Sequence, residues 1–308
     1  MKRTSAAQKG RTRVARRPTA FTVSELVRTT AAQLKRAKVV FAQGTTDPVA
    51  EAAFIVGEVL MVHPHRVEAL AKRRVTATQQ MTVESVVEQR IETRKPVAYL
   101  LQRIYMLGVP FYIDERAIVP RSFIGEVLDD ELFETLINPD GVKAVLDLCT
   151  GSGCLAILAA LRFPKAKVDA ADLSKDALEV AKKNVMLHRL QRRVRLVQGD
   201  LFARVSGKRY DLIISNPPYV DAKGMRSLPQ ECRHEPVLAF DGGKDGIAVV
   251  RRIIDEAGHH LTPDGGLLCE VGRCRSALER AYPRMQFLWL DTKASEGEVF
   301  WLDAAQLR

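Results

Sequence analysis

Apolar residues recur at helical spacing over the first third of the chain. The spacing begins after Thr22, an N-cap type of residue that is followed three positions later by Glu25. The pair Asp47-Pro48 begins another helix, because Asp suits the N-cap and Pro suits the first helical position. A further helix is predicted over residues 82–93. The pattern therefore predicts a small N-terminal helical domain over residues 21–95.

The next segment changes from helical spacing to β-forming residues. Between positions 96 and 120, Tyr, Ile and Phe residues are interrupted by Gly108 and Pro110, which is typical of a hairpin. We predict that residues 96–120 form a β-hairpin linker between two domains. A helix is predicted to follow Glu126 and to end near Ile137.

From residue 138 to the end, short apolar runs alternate with helical segments. Such alternation is the signature of a doubly wound parallel sheet with helices on both faces. The predicted fold class for residues 121–308 is α/β, a Rossmann-like seven-stranded sheet with a C-terminal antiparallel hairpin. The predicted strands are 144–148, 167–171, 194–198, 211–215, 266–271, 286–290 and 298–302.

A glycine turn follows the first of these strands. Gly151 and Gly153 allow the backbone to turn tightly and to approach a ligand closely before a helix begins. Carboxylates stand near the ends of successive strands: Asp147 in the first, Asp172 in the second and Asp200 after the third. Because the carboxyl ends of parallel strands share one edge of the sheet, these side chains are predicted to line one ligand pocket.

Two kinds of cofactor match the spacing of this turn. The pattern Gly-x-Gly-x-x-Ala, with an acid about 20 residues further on, also fits nicotinamide dinucleotides. A carboxylate placed as Asp147 is would repel a pyrophosphate, whereas S-adenosylmethionine has no phosphate and carries an ammonium and a sulfonium. We therefore expect S-adenosylmethionine. Asp147 would face its aminoacyl end, Asp172 its ribose hydroxyls, and Asp200 or its neighbour Leu201 its adenine.

The fourth strand ends in a rigid turn. The buried run 212–214 cannot continue through two prolines, because each fixes φ and lacks an N–H group. The turn consists of Asn216, Pro217, Pro218 and Tyr219. The side-chain oxygen of Asn216 and the carbonyl of Pro217 can each accept one N–H of a planar –NH2 group, and the ring of Tyr219 can stack on the substrate. An ordinary Asx-Pro turn is the alternative interpretation.

The chain is basic, with 47 Lys and Arg residues against 37 Asp and Glu residues and a formal net charge of +10. This charge favours a polyanionic partner such as nucleic acid or a ribonucleoprotein. Residues 1–20 contain basic residues, no acidic residue and no apolar segment of the secretory type. We predict a disordered, solvated basic arm, and transient contact with ribosomal RNA phosphates is one function that its charge allows. An organellar transit peptide is the alternative.

The five cysteines form no Cys-x-x-Cys pair, which argues against a disulfide framework and against a zinc site. A scattered, odd count favours a reducing compartment, and we expect the protein to be cytoplasmic. No apolar stretch approaches the length of a membrane span, so no membrane partner is expected. His63 and His65 are interpreted as surface loop residues, and no metal is predicted.

Together these motifs resemble the class I, S-adenosylmethionine-dependent protein-(glutamine-N5) methyltransferases. The likeness covers residues 21–308 and includes the segments 95–100, 111–116, 235–236 and 241–246. It implies that residues 21–95 recognise the substrate. The resemblance implies a catalytic turn of Asn216, Pro217, Pro218 and Tyr219. The expected cofactor residues are Asp147, Cys149, Thr150, Gly151, Ser152, Gly153, Asp172, Asp200, Leu201 and Asn216.

The loop after the hairpin separates two branches of this family. Residues 120–126 read Pro-Arg-Ser-Phe-Ile-Gly-Glu. This is similar to the branch that acts on the large-subunit ribosomal protein L-three, which usually reads Pro-Arg-Ser-Pro-Ile-Gly-Glu, whereas the release-factor branch reads Pro-Arg-Pro-Glu-Thr-Glu. Phe123 stands where this branch usually has proline, so the loop is expected to differ in shape there. The resemblance implies N5-methylation of one glutamine in the ribosomal protein, with release factors as the alternative substrate.

Two other functions compete with this interpretation. DNA adenine methyltransferases use a similar Asx-Pro-Pro-Tyr turn on an –NH2 group, but the chain has no separate domain large enough to read DNA. A non-enzymatic ribosome-assembly or RNA-binding factor could retain the fold without activity, but the site residues are intact. Measuring S-adenosylmethionine binding discriminates this second alternative from an enzyme.

Overall fold

The structure is a computed structural model that describes residues 21–41 and 44–308. The basic arm predicted over residues 1–20 lies outside the described residues. The described chain begins with helices that pack around an apolar core containing Leu34, Ile55 and Val83. These helices are α1 (Val23–Arg36), α2 (Pro48–Val59), α3 (Ala77–Thr93) and α4 (Val97–Leu101).

Helix α3 begins earlier than the sequence pattern predicts. Thr76 is its N-cap and forms a capping box with Gln79, which satisfies backbone N–H groups at the helix start. Thr82, the predicted first residue, lies inside the helix, where its hydroxyl donates to the carbonyl of Thr78 at 2.9 Å. The prediction of a start at residue 82 is therefore wrong, because the Thr82 hydroxyl bonds back along the helix instead of capping it.

The segment predicted as a hairpin is a hairpin only in its middle. Strands β1 (Ile104–Met106) and β2 (Val109–Phe111) pair antiparallel, but helix α4 precedes them. Tyr99, a β-forming residue by propensity, lies in α4, where it is buried and donates its hydroxyl to the carbonyl of Ala117 at 2.7 Å. This packing overrides the β propensity that led to the prediction.

Helix α5 (Ile124–Asp129) is shorter than predicted and begins before Glu126. It ends because Asp130 is extended, with φ −82° and ψ 133°. The carboxylate of Asp130 accepts the N–H of Leu132 at 2.8 Å and so begins a separate 3-10 helix, Glu131–Thr135. The continuous helix predicted as far as residue 137 is therefore wrong.

The remainder of the chain forms the predicted sheet. Within the described residues it has seven strands in the order β5-β4-β3-β6-β7-β9-β8, parallel except that β9 is antiparallel to both neighbours. The fold prediction is confirmed, including the C-terminal antiparallel hairpin. The strands are β3 (Ala144–Leu148), β4 (Lys167–Asp172), β5 (Val194–Gln198), β6 (Tyr210–Ser215), β7 (Leu261–Glu270), β8 (Leu288–Leu290) and β9 (Val299–Asp303).

Helices cover both faces of the sheet. Val145 belongs to the apolar cluster on one face and its neighbour Leu146 to the cluster on the other, as alternation along a strand requires. Both faces are therefore buried, which is the arrangement expected of a parallel sheet. The helices after α5 are α6 (Cys154–Arg162), α7 (Lys175–Leu187), α8 (Ala222–Arg226), α9 (Ala248–His260) and α10 (Arg275–Ala281).

A buried ion-pair network joins the N-terminal helices to the segment after β6. Arg90 is fully buried, and its Nε lies 2.9 Å from the carboxylate of Glu51. Glu231 accepts the N–H of Val40 at 3.1 Å and lies 3.5 Å from a guanidinium nitrogen of Arg94. These contacts hold residues 230–234 against α3, next to the site described below.

Candidate active site

The site is built on two neighbouring strands, β3 and β6. Leu148 and Ser215, the last residues of these strands, are register partners. The Ser215 hydroxyl donates to the Leu148 carbonyl at 2.9 Å. Strand order reverses between these two strands, and such a switch point opens a crevice at their carboxyl ends. The glycine turn and the Asn-Pro-Pro-Tyr turn therefore leave the sheet side by side.

The glycine turn depends on close packing of the helix behind it. Gly153 has φ +80°, and a Cβ atom there would lie 3.0 Å from the Cβ of Ala181. Thr150 donates its N–H to the carbonyl of Ala171 at 3.0 Å, which ties the turn to strand β4. A side chain at Gly153 would therefore push α7 away from the turn.

Asn184 on α7 connects the turn to the hairpin segment. Its side chain is fully buried. The side-chain oxygen accepts the N–H of Tyr112 at 2.7 Å, and the side-chain nitrogen donates to the carbonyls of Tyr112 at 2.9 Å and Ser152 at 2.8 Å. One amide therefore bonds three backbone groups from two segments that are distant in sequence.

Asp147 lies beneath the turn rather than in it. Its side chain is fully buried and accepts a hydrogen bond from the Thr150 hydroxyl. Burial raises its pKa to about 7, although the Thr150 hydrogen bond opposes this rise. Asp147 does not line either of the cavities described below. The Asp147 carboxylate therefore contacts the glycine turn through Thr150 and reaches neither cavity.

Asp172 and Asp200 lie at the predicted strand ends. The two Asp172 carboxylate oxygens accept N–H groups of Gly151 and Ser174, each at 2.8 Å. Burial raises the pKa of Asp172, and these hydrogen bonds oppose the rise. Asp200 is more exposed and forms an ion pair with Arg252 at 2.9 Å.

A cavity of about 280 Å³, here named the glycine-loop cavity, opens beside these carboxylates. Asp172, Asp200 and Leu201 line it on one side. Gly151 and Pro218 also line it, so it lies between the two turns. It has the mixed apolar and polar lining that is typical of a small-molecule site.

A second cavity of about 510 Å³, here named the Pro-Arg-Ser cavity, lies on the other side of the Asn-Pro-Pro-Tyr turn. Arg121, Ser122, Pro217 and Tyr219 line it. Asn216 lines both cavities. The Asn216 side-chain nitrogen donates to the carbonyl of Arg121 at 2.8 Å, so its orientation is set by the loop from the hairpin.

Glu270, the last residue of β7, forms the floor of the Pro-Arg-Ser cavity. Its carboxylate accepts the Ser122 hydroxyl at 2.8 Å, the Phe123 N–H at 2.9 Å and the Tyr219 hydroxyl at 3.2 Å. Burial raises its pKa to about 7. Sequence reasoning missed Glu270, although it shows the same signal as Asp172, an acid at the carboxyl end of a parallel strand.

A second buried carboxylate supports the same loop. Glu235 accepts the N–H of Val119 at 3.0 Å and forms an ion pair with Arg121 at 3.0 Å. The Arg121 guanidinium also lies over the ring of Phe240, 5.8 Å from its centroid. The loop that contains the branch signature is therefore held by two acids from different parts of the chain.

The predicted site residues divide between these cavities. Thr150 and Ser152 line the Pro-Arg-Ser cavity, whereas Cys149 and Gly151 line both. Gly153, like Asp147, lines neither.

The Tyr219 ring packs on Gly272, where an added Cβ would lie 2.5 Å from a ring carbon.

In residues 21–41 and 44–308, no group of three or more His, Cys, Asp or Glu side chains is placed to hold a metal ion. Across the same described ranges, no helix combines the length and the apolar content that crossing a bilayer demands.

Comparison with known proteins decides the family. Residues 129–231 match the family model described as "Methyltransferase small domain". The ribosomal protein uL3 glutamine methyltransferase of Bradyrhizobium diazoefficiens is 59% identical over 93% of this chain and 92% of that protein. The enzyme of the same name from Burkholderia pseudomallei is 46% identical over 94% of this chain and 97% of that protein.

The chain belongs to the ribosomal protein uL3 glutamine methyltransferase family. The resemblance inferred from the sequence motifs is confirmed, and the protein is a methyltransferase. A solved methyltransferase from Pyrococcus furiosus aligns with a TM-score of 0.44 at 20% identity, over 64% of this chain and 87% of that chain. In the present chain, the Pro-Arg-Ser loop that suggested the branch lies directly against Asn216.

Proposed function

We propose that this methyltransferase transfers a methyl group from S-adenosylmethionine to the side-chain nitrogen of one glutamine in ribosomal protein uL3, the large-subunit protein L-three. The names of its relatives support the substrate. The observation that carries the chemistry is the position of Asn216, which lines both the glycine-loop cavity and the Pro-Arg-Ser cavity. A methyl donor in the first cavity and an acceptor in the second would meet at this residue.

The residues of the glycine-loop cavity fit S-adenosylmethionine. Asp172 retains acceptor capacity for ribose hydroxyls, because each of its oxygens has two lone pairs and each accepts one backbone N–H. The basic side chains at its edge already have partners: Arg252 pairs with Asp200 and Arg116 pairs with Asp114. An ammonium-bearing ligand without phosphate suits this lining better than a pyrophosphate does. When bound, the cofactor supplies a methyl group made electrophilic by its sulfonium.

The protein must prepare a poor nucleophile, because the lone pair of a carboxamide nitrogen is delocalised into its carbonyl. The nitrogen of the Asn216 side chain is engaged with Arg121, which leaves the side-chain oxygen to accept one N–H of the substrate. The Pro217 carbonyl is proposed to accept the other. Two acceptors aimed at the nitrogen orient its lone pair and stabilise the positive charge that develops there. An N-methylated, protonated amide releases its proton readily to water, so no strong base is required.

The remaining assignments are also proposals. Residues 21–95 are proposed to form the domain that recognises the protein substrate. Residues 96–120 are proposed to link this domain to the catalytic domain, residues 121–308. Because ribosomal proteins assemble in the cytoplasm, the proposed substrate implies that compartment. A role for residues 1–20 in transient contact with ribosomal RNA stays a prediction.

The test is intact-mass spectrometry after incubation of the enzyme with S-adenosylmethionine and purified uL3, release factor or an oligonucleotide in separate reactions. The expected result is one added methyl group on uL3, which peptide fragmentation maps to a glutamine. Methylation of release factor alone would retain the chemistry and reject the substrate. Methylation of an oligonucleotide, with neither protein modified, would reject both.

A further inference from the structure

A groove that none of the sequence motifs explains lies next to the Pro-Arg-Ser cavity. This groove, here named the acidic groove, has a volume of about 990 Å³. It runs between α5 with the following 3-10 helix and the edge strand β8. Glu126 lines both the groove and the Pro-Arg-Ser cavity. At the tip of the hairpin, Met106 lines the cavity and its neighbour Leu107 lines the groove.

The groove combines apolar surface with acids, although the whole chain is basic. Leu132 is 74% exposed, Leu107 49% and Leu288 45%. The acids that line the groove are Glu126, Asp129, Asp130 and Asp291, and its basic lining residues are His65 and Lys293. The excess of acids contrasts with the formal net charge of +10 for the whole chain.

The carboxylates of two of these acids have no hydrogen-bonding or ion-pair partner among the described residues. In the described ranges, no hydrogen bond or ion pair involves the side chain of Glu126 or Asp129. Asp130 and Asp291, by contrast, accept backbone N–H groups of Leu132 and Gly297. Asp129 is the last residue of α5, where a negative charge is unfavourable because the helix C-terminus is itself partly negative. An acid that destabilises its own helix end is suited to a cationic partner.

One wall of the groove is formed by β8, which is an edge strand of the sheet among the described residues. Strand β8 pairs with β9 on one side and is the last strand of the sheet on the other. An unpaired strand edge offers backbone N–H and C=O groups to an extended segment of another chain. Residues of this edge strand, exposed leucines and carboxylates therefore line the groove.

We propose that the acidic groove binds an extended, basic segment of the protein substrate that flanks the methylated glutamine. This inference rests on the proposed function. The groove adjoins the Pro-Arg-Ser cavity at Glu126, which lines both, so a chain whose glutamine reaches Asn216 can extend toward it. A protein that binds ribosomal RNA carries Lys and Arg for phosphate contacts, and these match the unpartnered carboxylates. The groove thus selects the substrate by sequence around the glutamine.

The test compares two substrates in steady-state kinetics. One is full-length uL3, and the other is a short peptide that contains the unmodified target glutamine and only its nearest neighbours. Asp129→Lys should raise the KM for uL3 about tenfold, because it reverses an unpaired charge, and should leave kcat unchanged. The same variant should leave the kinetics of the short peptide unchanged. Glu179→Lys is the matched control, since Glu179 is an exposed acid on α7 outside the groove.

Leu132→Gln separates the apolar contribution from the charge. It should raise the KM for uL3 at every salt concentration. The effect of Asp129→Lys should shrink between 0.1 M and 1 M ionic strength, where the Debye length falls from about 10 Å to about 3 Å. Calorimetric titration of uL3 into each variant measures binding independently of methyl transfer.

Several results would overturn the proposal and leave the methylation of uL3 in place. These are an unchanged KM and affinity for uL3 in both variants, or an equal effect of Asp129→Lys on the short peptide. A lower KM in Asp129→Lys would identify the basic arm of the chain itself as the occupant. A shifted monomer–dimer equilibrium in sedimentation, without a change in KM, would identify a second copy. Absence of methylation of uL3 by the unmodified enzyme would instead reject the proposed function, and with it this inference.

Discussion

The hydroxyl of Tyr219 donates a hydrogen bond to the carboxylate of Glu270, 3.2 Å away, across the ends of strands β6 and β7. The other carboxylate oxygen of Glu270 accepts the Ser122 hydroxyl and the Phe123 N–H. One buried side chain therefore couples the Asn-Pro-Pro-Tyr turn to the Pro-Arg-Ser loop. The two walls of the Pro-Arg-Ser cavity cannot move independently while these bonds persist.

Removal of the Glu270 carboxylate should destabilise the fold more than removal of one donor does. Glu270→Ala leaves three donors without their acceptor, so we expect the free energy of unfolding to fall by about 3 kcal/mol. Tyr219→Phe removes one donor and should cost about 1 kcal/mol. Urea denaturation followed by circular dichroism measures both. Equal losses in the two variants would contradict the network.

Asp147 should make stability depend on pH. Its pKa rises from 3.8 to about 7 on folding because it is buried, so the folded state holds the proton more tightly than the unfolded state. The stabilisation from this group is complete below its unfolded pKa and is lost as the pH rises through about 7. The full change corresponds to about 4 kcal/mol.

The comparison with Asp147→Asn isolates this contribution, because a pH-independent cost of the substitution cancels when slopes are compared. Between pH values near the unfolded and folded pKa, the free energy of unfolding of the unmodified protein should decrease more steeply than that of the variant. Burial also raises the pKa of Glu270 to about 7, so a residual slope of the same sign is expected in the variant. Parallel curves would show that Asp147 does not titrate in this range.

Asn216→Ala should separate cofactor binding from turnover. If the Asn216 oxygen accepts a substrate N–H and stabilises developing charge, its loss should lower kcat by about 10²–10³. Calorimetry should show S-adenosylmethionine binding retained. Asn138→Ala provides a matched control, because Asn138 is an exposed residue that caps a short 3-10 helix. Turnover at the unmodified rate in Asn216→Ala would remove the proposed role.

Asp172→Ala should weaken cofactor binding strongly. The substitution removes a potential ribose acceptor and also releases the N–H groups of Gly151 and Ser174 from their shared carboxylate. Loss of about 3 kcal/mol would raise the Kd for S-adenosylmethionine about 100-fold. Asp200→Asn, at an exposed and ion-paired position, should change the Kd less than about tenfold. Calorimetric titration distinguishes the two, and similar Kd values in both variants would contradict the assignment.

The positions of the central strands follow from sequence because each is an apolar run bounded by polar residues. Strands β3 and β5 begin and end where they were predicted. Strand β7 begins at Leu261, five residues before the predicted start at residue 266. The prediction was late because Pro263 and Gly265 indicate a turn in the sequence. The structure accommodates them through a change of register between Tyr210 and Leu212.

The grouping of residues at the crevice was predictable from sequence where they lie in local motifs, and it was missed where the contacts are between distant segments. Asn216 and the glycine turn lie in short motifs at strand ends, and the structure brings them to one crevice. Glu270 acts on Ser122, 148 positions earlier in the chain, and no local pattern reports that contact. The burial of Asp147 was also invisible, because a motif gives the order of residues and not their depth.

The Asn184 side chain has a consequence for how the enzyme can be divided. It bonds the backbone of Tyr112, which precedes the catalytic part predicted over residues 121–308, and the backbone of Ser152 within it. A fragment that starts at residue 121 would leave polar atoms of a fully buried amide unsatisfied directly behind the glycine turn. We expect such a fragment to fold incompletely, with the glycine turn unformed until the missing segment is supplied in trans. During synthesis, Tyr112 leaves the ribosome before Asn184, so its backbone groups are already present when the Asn184 amide needs them.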